Sequence, residues 1–244
     1  MQYYHLPFCV LKITNAQKFL HAISSNTQNA ARNSFLDIFG KIVVCFYQNY
    51  NGTDALVAFP EKFKTRFNEH VQKYLAISKA KIEQTNLNAY FIDAHAEQKE
   101  VEQIDGLRVP EKDSFILLSE KPPKKIDEMA EEKFNCFCLE HSISMQGREF
   151  DEEMIMNTDW KDAVSFSKGC FLGQEIVVKI MHRGKPPRKL IVLQFENEPT
   201  ALTRNGAVIG EIRSKCFSKK TGKWLAYCSI PNDDGNFDKG FTFK

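Results

Sequence analysis

The proline pair Pro186-Pro187 is the feature that most constrains this fold, because the pattern of the sequence changes there. Upstream, strand patterns rich in β-branched and aromatic residues, such as 41–47, alternate with a helical pattern that follows Pro60. Downstream, short apolar runs are separated by turn signals and no helical period remains. The sequence therefore predicts an α+β fold. We expect a region 1–188 with two interleaved modules and an all-β, barrel-like module over 189–244.

The overall composition excludes several classes of protein. Of 244 residues, 43% are hydrophobic and 26% are charged, which is ordinary for a soluble globular protein of two or three modules. Thirty-three basic against 31 acidic residues give a net charge of +2, so the charge does not indicate a nucleic-acid partner. No run approaches the ~20 apolar residues that cross a bilayer, and the first residues lack a secretory leader pattern. We therefore expect a cytoplasmic protein without membrane or direct nucleic-acid partners.

Seven cysteines are scattered along the chain, and their odd number favours free thiols in a reducing compartment. They are Cys9, Cys45, Cys136, Cys138, Cys170, Cys216 and Cys228. Cys136-Phe137-Cys138 has the spacing of a metal-binding pair, but the second pair that completes a zinc site is missing. Beside Phe134 and Leu139, the pattern instead predicts a packed strand whose successive residues point alternately in and out. We therefore predict no metal site.

The stretch Lys168-Gly169-Cys170-Phe171-Leu172-Gly173-Gln174-Glu175 places one cysteine between glycines, after a lysine and before a predicted helix. A cysteine acts as nucleophile or metal ligand in its thiolate form, which a nearby cation and a helix N-terminus both favour. Gly169 and Gly173 permit a tight backbone path that other residues resist. The alternative is a small buried apolar cysteine, the common state of free cysteines. The residues alone leave both interpretations open.

A basic cluster follows this stretch within eleven residues and comprises Lys179, His182, Arg183, Lys185, Arg188 and Lys189. Such clusters bind phosphates or carboxylates, and arginine binds a carboxylate with two hydrogen bonds. A solvated basic face is the alternative, since charge runs usually face solvent. His182 is in addition a candidate base, because histidine titrates near neutral pH, although a histidine at a helix end is more often a surface residue.

The Lys168–Glu175 stretch resembles the signature of the YgfZ-type folate-binding proteins, relatives of the glycine-cleavage T-protein that work in iron–sulfur protein maintenance. Weaker similarities extend over most of the chain. Residues 19–27 resemble the family's Phe-Leu-Gln-Gly-Gln-x-Thr segment, 36–42 its Leu-Asp-x-x-Gly-Arg/Lys-Ile turn, and 205–212 the strand pair that opens its terminal barrel. The resemblance implies a T-protein-like arrangement of modules around a central cavity that binds tetrahydrofolate or a derivative, with a small C-terminal β-barrel.

The same resemblance implies roles for individual residues. Cys170 becomes the functional thiol in assembly or repair of iron–sulfur proteins, with iron–sulfur client or assembly proteins as partners. The residues implied in binding the reduced folate are Lys168, Gln174, Glu175, Lys179, His182, Arg183 and Arg188. Lys179 stands where the family usually has arginine. An effect on tRNA modification would be indirect, through an iron–sulfur tRNA-modifying enzyme.

One departure from the related aminomethyltransferases bears on whether the chain is an enzyme. In those relatives, the strand after the Gly-Lys/Arg-Ile turn brings an acidic residue to the folate, whereas here it reads Ile42-Val43-Val44-Cys45. The proton acceptor that one-carbon transfer needs is thus missing at the expected place. This departure favours a folate-dependent iron–sulfur factor. A folate-dependent aminomethyltransferase or demethylase-type enzyme is the alternative.

Overall fold

The computed structural model describes residues 1–93 and 106–233, apart from the side chain of Arg183, and the backbone of 241–243. Strands and helices are mixed along this part of the chain, which confirms the predicted α+β class. None of the helices in the described ranges is long and apolar enough to cross a membrane.

The chain folds into two compact units whose segments interleave along the sequence. Unit 1 comprises Met1–Met129 and Asp162–Gln174, and unit 2 comprises Ala130–Lys161 and Glu175–Lys244. The segment that precedes the Lys168–Glu175 stretch is therefore shared between them. The division of the chain into 1–188 and 189–244 stays a prediction.

The described residues of unit 1 form two five-stranded sheets and two α-helices. Its strands are β1 (Gln2–Leu6), β2 (Phe8–Thr14), β3 (Arg32–Leu36), β4 (Ile42–Tyr50), β5 (Ala55–Pro60), β6 (Lys81–Gln84), β7 (Asn88–Asp93), β8 (Leu107–Glu111), β9 (Ser114–Ser119) and β10 (Asp127–Glu128). Its helices are α1 (Ala16–Ile23) and α2 (Lys64–Leu75). The strand orders are β3-β4-β5-β2-β6 and β10-β1-β7-β9-β8. Neighbouring strands are antiparallel, except for the parallel pair β1 and β10.

An aromatic core joins the two helices of unit 1 to the sheet that contains β4. α2 follows a short 3₁₀ turn after Pro60, as proline at a helix start predicts. Phe63, Phe67 and Val71 are buried at helical spacing, which confirms the helical pattern predicted after Pro60. Phe67 stacks on Phe59 with ring centroids 4.6 Å apart. This packing fixes the end of α1, from which the candidate site is built.

Where unit 2 is described, it consists of two α-helices and a five-stranded sheet. Its elements are α3 (Glu131–Glu140), α4 (Gln174–Arg183, the first residue belonging to unit 1), β11 (Arg188–Phe195), β12 (Leu202–Arg204), β13 (Ala207–Ser218), β14 (Lys223–Pro231) and β15 (Phe241–Phe243). The strand order is β12-β13-β14-β11-β15 with antiparallel neighbours. From Arg188 onward the regular elements of the described residues are strands, as predicted. Closure of this sheet into a barrel stays a prediction.

Two predictions about the cysteine pair of unit 2 are wrong. Cys136 and Cys138 lie on α3 rather than on a strand, because Phe134, Phe137 and Cys138 are buried together at helical spacing. Short apolar runs fit both periods, and only the tertiary context decides between them. Cys136 also forms a disulfide with Cys216 of β13, across a Cα–Cα distance of 5.5 Å, so these two are not free thiols.

Candidate functional site around Cys170

A buried lysine holds the start of the Lys168–Glu175 stretch inside unit 1. The Lys168 ammonium donates hydrogen bonds to the carbonyl oxygens of Ser24 and Asn26, the second at 3.4 Å, just beyond the end of α1. It also lies 5.5 Å from the centre of the Phe171 ring. Only 8% of the residue is exposed. The structure therefore places Lys168 as an anchor of this segment, with its charge directed at main-chain carbonyls.

Polar side chains after α1 attach the segment that begins at Asp162. Asn26 donates from Nδ2 to the carbonyl of Asp162 at 2.9 Å, and Ser25 donates from Oγ to the carbonyl of Ala163 at 2.6 Å. The Ser165 N–H in turn donates to the Ser25 carbonyl at 2.9 Å. Ser25 and Asn26 are buried, so these bonds form in a low-dielectric environment where they fix the backbone strongly. Sequence reasoning missed these residues, although a polar run directly after an amphipathic helix is a local signal for such a role.

An ion-pair triad lies next to this polar cluster. The Arg32 guanidinium donates to both carboxylate oxygens of Asp162, at 3.0 and 3.1 Å, and its Nε lies 3.3 Å from a carboxylate oxygen of Glu111. The side chains of Arg32 and Glu111 are 8% and 0% exposed, whereas that of Asp162 is 58% exposed. The triad lines a cavity of about 210 Å³. Sequence reasoning missed this triad, because no local pattern connects its three positions.

Gly173 is required by the backbone that approaches it. Its φ is +80°, and a Cβ there would lie 2.3 Å from the Asp37 carbonyl oxygen and 2.9 Å from the Gly40 nitrogen. The turn at Asp37 is itself fixed, since the Asp37 carboxylate accepts from the N–H groups of Phe39 and Lys41 at 2.8 and 2.9 Å. The predicted tight path at Gly173 is confirmed. The 36–42 turn and the Lys168–Glu175 stretch, each noted in the sequence, are packed together.

Cys170 is the exposed member of the free cysteines in the described part of the chain. The others are buried: Cys9, Cys45, Cys138 and Cys228. Burial raises the pKa values of Cys9 and Cys228 to about 12, so both remain neutral thiols. Helix α4 begins only at Gln174, so Cys170 lies outside the first turn in which a helix dipole acts. Accessibility therefore distinguishes Cys170 from the other free cysteines. The two electrostatic effects expected from the sequence, a nearby lysine charge and an adjoining helix start, do not distinguish it.

The residues predicted to bind folate after Cys170 are divided between helix α4 and strand β11. On α4, Lys179 pairs with Glu175 at 3.4 Å, both side chains being largely exposed, and His182 is exposed. Arg188 lies on β11, where it donates to the Ser229 hydroxyl at 3.1 Å and to the Ser229 carbonyl at 2.7 Å. The Arg183 side chain lies outside what the structure describes. Gln174 is half-buried at the start of α4, with its N–H bonded to the Phe171 carbonyl at 3.2 Å.

The buried lysine gives unit 1 a specific pH dependence. Burial lowers the pKa of Lys168 from 10.5 to about 8. Between those values the unfolded chain keeps a proton that the folded chain has released, so the free energy of unfolding rises with pH. Across the interval between the two pKa values, the free energy of unfolding rises by roughly 3 kcal/mol. We expect denaturant unfolding to show this rise between pH 8 and 10 in the unmodified protein and not in Lys168→Met. If the free energy of unfolding depended on pH in the same way in both proteins, Lys168 would not be the group responsible.

The fold has a known counterpart, although the sequence does not. No family model matches the chain, and no curated protein matches it. The crystal structure of glycine cleavage system aminomethyltransferase T from Bartonella henselae matches with a TM-score of 0.75 at 12% sequence identity. The match covers 94% of this chain and 78% of that one. Such a low identity carries the fold alone, so the chain is similar in fold to an aminomethyltransferase T.

Proposed function

We propose that this chain is a folate-binding factor that supports assembly or repair of iron–sulfur proteins, with Cys170 as its functional thiol. The observation that carries the proposal is the exposure of Cys170 on a segment that Lys168 and Gly173 hold tightly on either side. The signature resemblance supplies the folate and iron–sulfur part, and the T-protein-like fold supports it. The tie to tRNA modification, through an iron–sulfur client, belongs to the same proposal.

An exposed thiol on a fixed backbone suits contact with another protein. A cysteine sulfur is a soft ligand and a nucleophile once deprotonated, so it can take up sulfur, iron or a transient adduct from a partner and pass it on. The backbone on both sides of Cys170 is fixed by buried contacts, which keeps the sulfur in one place for the partner. The partners in this proposal are iron–sulfur client or assembly proteins.

The residues on α4 suit the anionic tail of a folate. Tetrahydrofolate ends in glutamate carboxylates, and Lys179 offers an ammonium that is 57% exposed and paired only weakly with Glu175. The Arg188 guanidinium is already bonded to Ser229, so its share in tail binding would be smaller. When bound, the folate supplies a one-carbon acceptor. The role of this chain would be to hold the anionic tail of the folate.

Calorimetry with tetrahydrofolate tests the folate part of the proposal. We expect saturable binding and a raised melting temperature. We expect Lys179→Ala to weaken binding about tenfold, or ~1.4 kcal/mol, because it removes a charge-assisted contact to a carboxylate. Lys220→Ala, a change at an exposed lysine on the β13–β14 turn, is the matched control and should bind as the unmodified protein does. Absence of both heat and stabilisation at millimolar tetrahydrofolate would sink the proposal.

A second candidate is a folate-dependent aminomethyltransferase or demethylase-type enzyme. Two observations favour it: the fold is similar to that of an aminomethyltransferase, and unit 1 holds the carboxylates of Glu111 and Asp162 around Arg32. A carboxylate can accept a proton during one-carbon transfer. Transfer of a one-carbon unit from an aminomethyl donor to tetrahydrofolate, with release of ammonia, would select this candidate over the first if it were lost in Asp162→Asn and kept in Cys170→Ser.

A further inference from the structure

Unit 1 contains a second feature, a preformed groove beside α1 that the proposed function does not use. The groove has a volume of about 620 Å³ and runs between α1, the β4–β5 turn and the residues that follow α2. Hydrogen bonds to main-chain carbonyls fix its walls: the Ala16 N–H donates to the Thr53 carbonyl at 2.8 Å, and the Asn15 side chain donates from Nδ2 to the Lys79 carbonyl at 3.3 Å. Its size lies within the range of about 300–1,000 Å³ that small-molecule sites occupy.

The floor of the groove is apolar. Phe19 and Ile23 of α1 form it and are themselves 2% and 5% exposed, and the half-buried ring of Tyr74 lies alongside. Ile77 lines the groove as well and is 85% exposed, an unusual state for an isoleucine. A ligand with an apolar body would remove the exposed surface of Ile77 and Tyr74 from water, which is the main driving force for binding in such sites.

The charges at the groove have one sign. Lys18 and Lys79 line it and are exposed, and neither forms an ion pair with a described residue. No aspartate or glutamate is among its described lining residues. Asp54, which follows the β4–β5 turn, is paired with Lys12 at 2.9 Å. The groove therefore combines an apolar floor with two unneutralised ammonium groups, which complements a ligand that carries an apolar body and a negative charge.

We propose that this groove binds a small organic carboxylate whose aromatic or branched aliphatic body lies on Phe19, Tyr74 and Ile77. Its carboxylate would lie between Lys18 and Lys79. None of its lining residues is among those proposed to bind folate, and the inference does not depend on the function proposed for Cys170.

Three probes separate the apolar and the ionic contributions. The first is 2-naphthoate, the second is 2-naphthamide, which keeps the rings and lacks the charge, and the third is acetate, which keeps the charge and lacks the rings. We expect 2-naphthoate to bind at least tenfold more tightly than either, by calorimetry or by chemical-shift titration. No binding of 2-naphthoate at millimolar concentration, or equal affinity for 2-naphthoate and 2-naphthamide, would overturn the proposal.

Variants at exposed positions test the location without unfolding the protein. Ile77→Asp should weaken 2-naphthoate at least tenfold, and the double change Lys18→Gln with Lys79→Gln should weaken 2-naphthoate while leaving 2-naphthamide unchanged. Val208→Asp changes a β-branched apolar residue of unit 2 that is 70% exposed, so it is the matched control. It should bind 2-naphthoate as the unmodified protein does. Unchanged 2-naphthoate binding in Ile77→Asp would place the ligand elsewhere and overturn the proposal.

Tetrahydrofolate distinguishes this inference from the proposed function. Its affinity should be the same in Ile77→Asp as in the unmodified protein. Loss of tetrahydrofolate binding in Ile77→Asp would make the groove the folate site and overturn the claim of a separate one. Failure of folate binding in every protein, with 2-naphthoate binding intact, would refute the proposed function and leave the groove assignment standing.

Discussion

Gly173→Ala should destabilise unit 1 by about 3–5 kcal/mol, well above the usual cost of a glycine-to-alanine change. The added methyl group would lie 2.3 Å from the Asp37 carbonyl oxygen, against backbone that cannot move aside as a flexible side chain would. The left-handed φ of +80° adds its own strain for any residue with a Cβ. For a protein of this size, the loss corresponds to a fall in melting temperature of roughly 6–20 °C, measurable by calorimetry.

A matched glycine separates the clash from the backbone strain. Gly184 has φ +79°, and a Cβ there would meet nothing within 4 Å. Gly184→Ala should therefore cost only the left-handed strain, about 1–2 kcal/mol. If the two substitutions lower the melting temperature equally, the contact between Gly173 and the Asp37 turn does not exist as described. The signature glycine would then be explained by its conformation alone.

Arg32→Met should cost about 3–5 kcal/mol, because it leaves the fully buried carboxylate of Glu111 without its guanidinium partner. It also removes the two hydrogen bonds to Asp162 that attach the start of the segment leading to Cys170. We expect equilibrium unfolding in denaturant to show this loss. Adding Glu111→Gln should recover most of it, since the buried carboxylate charge is then gone.

Arg213 of unit 2 provides the comparison for this prediction. Its guanidinium also contacts two carboxylates, those of Glu153 at 2.9 Å and Glu211 at 3.0 Å, but its side chain is 30% exposed. Solvent screens such pairs, so Arg213→Met should cost about 1 kcal/mol or less. If Arg32→Met costs no more than Arg213→Met, or if Glu111→Gln rescues nothing, the Arg32 ion pairs are not a stabilising part of unit 1.

Local patterns account for the parts of the fold that the sequence predicted. The stripe of Phe63, Phe67 and Val71 lies within one helix, so its 3.6-residue period is visible without the partner surface. Helix α3 (Glu131–Glu140) was not predicted, because it contains a run that the sequence indicated as a strand. The run Cys136-Phe137-Cys138 fits a strand as well as a helix, and burial against the rest of unit 2 decides for the helix.

The contacts of the candidate site could be predicted even less well from local patterns. The sequence marked Gly173 as a position for unusual backbone, but it could not name Asp37 as the neighbour, since the two are distant along the chain. Lys168 was expected to supply a cation near Cys170, and the structure directs its ammonium to Ser24 and Asn26. A buried lysine and an exposed one look alike in sequence. Contacts between distant segments, which no local period encodes, decide which of them is present.

The groove beside α1 could not be predicted from local sequence patterns either. Its apolar floor is the buried face of α1, which any amphipathic helix would have, and its rim depends on where the β4–β5 turn and the end of α2 are held. Neither the exposure of Ile77 nor the lack of carboxylates among the described residues that line the groove can be derived from spacing along the chain. A site of this kind is found from the folded structure, and the naphthoate series tests it directly.

The most direct test of the central claim is the activity of an iron–sulfur enzyme in cells that lack this protein and are complemented with Cys170→Ser. Ser167→Ala, a change at an exposed hydroxyl on the same segment, is the matched control. Both variants should keep the melting temperature of the unmodified protein, since both positions are exposed. We predict that Ser167→Ala restores the enzyme activity and that Cys170→Ser leaves it at the level of the uncomplemented cells. Full restoration by Cys170→Ser would contradict the account and make the Lys168–Glu175 stretch a structural element.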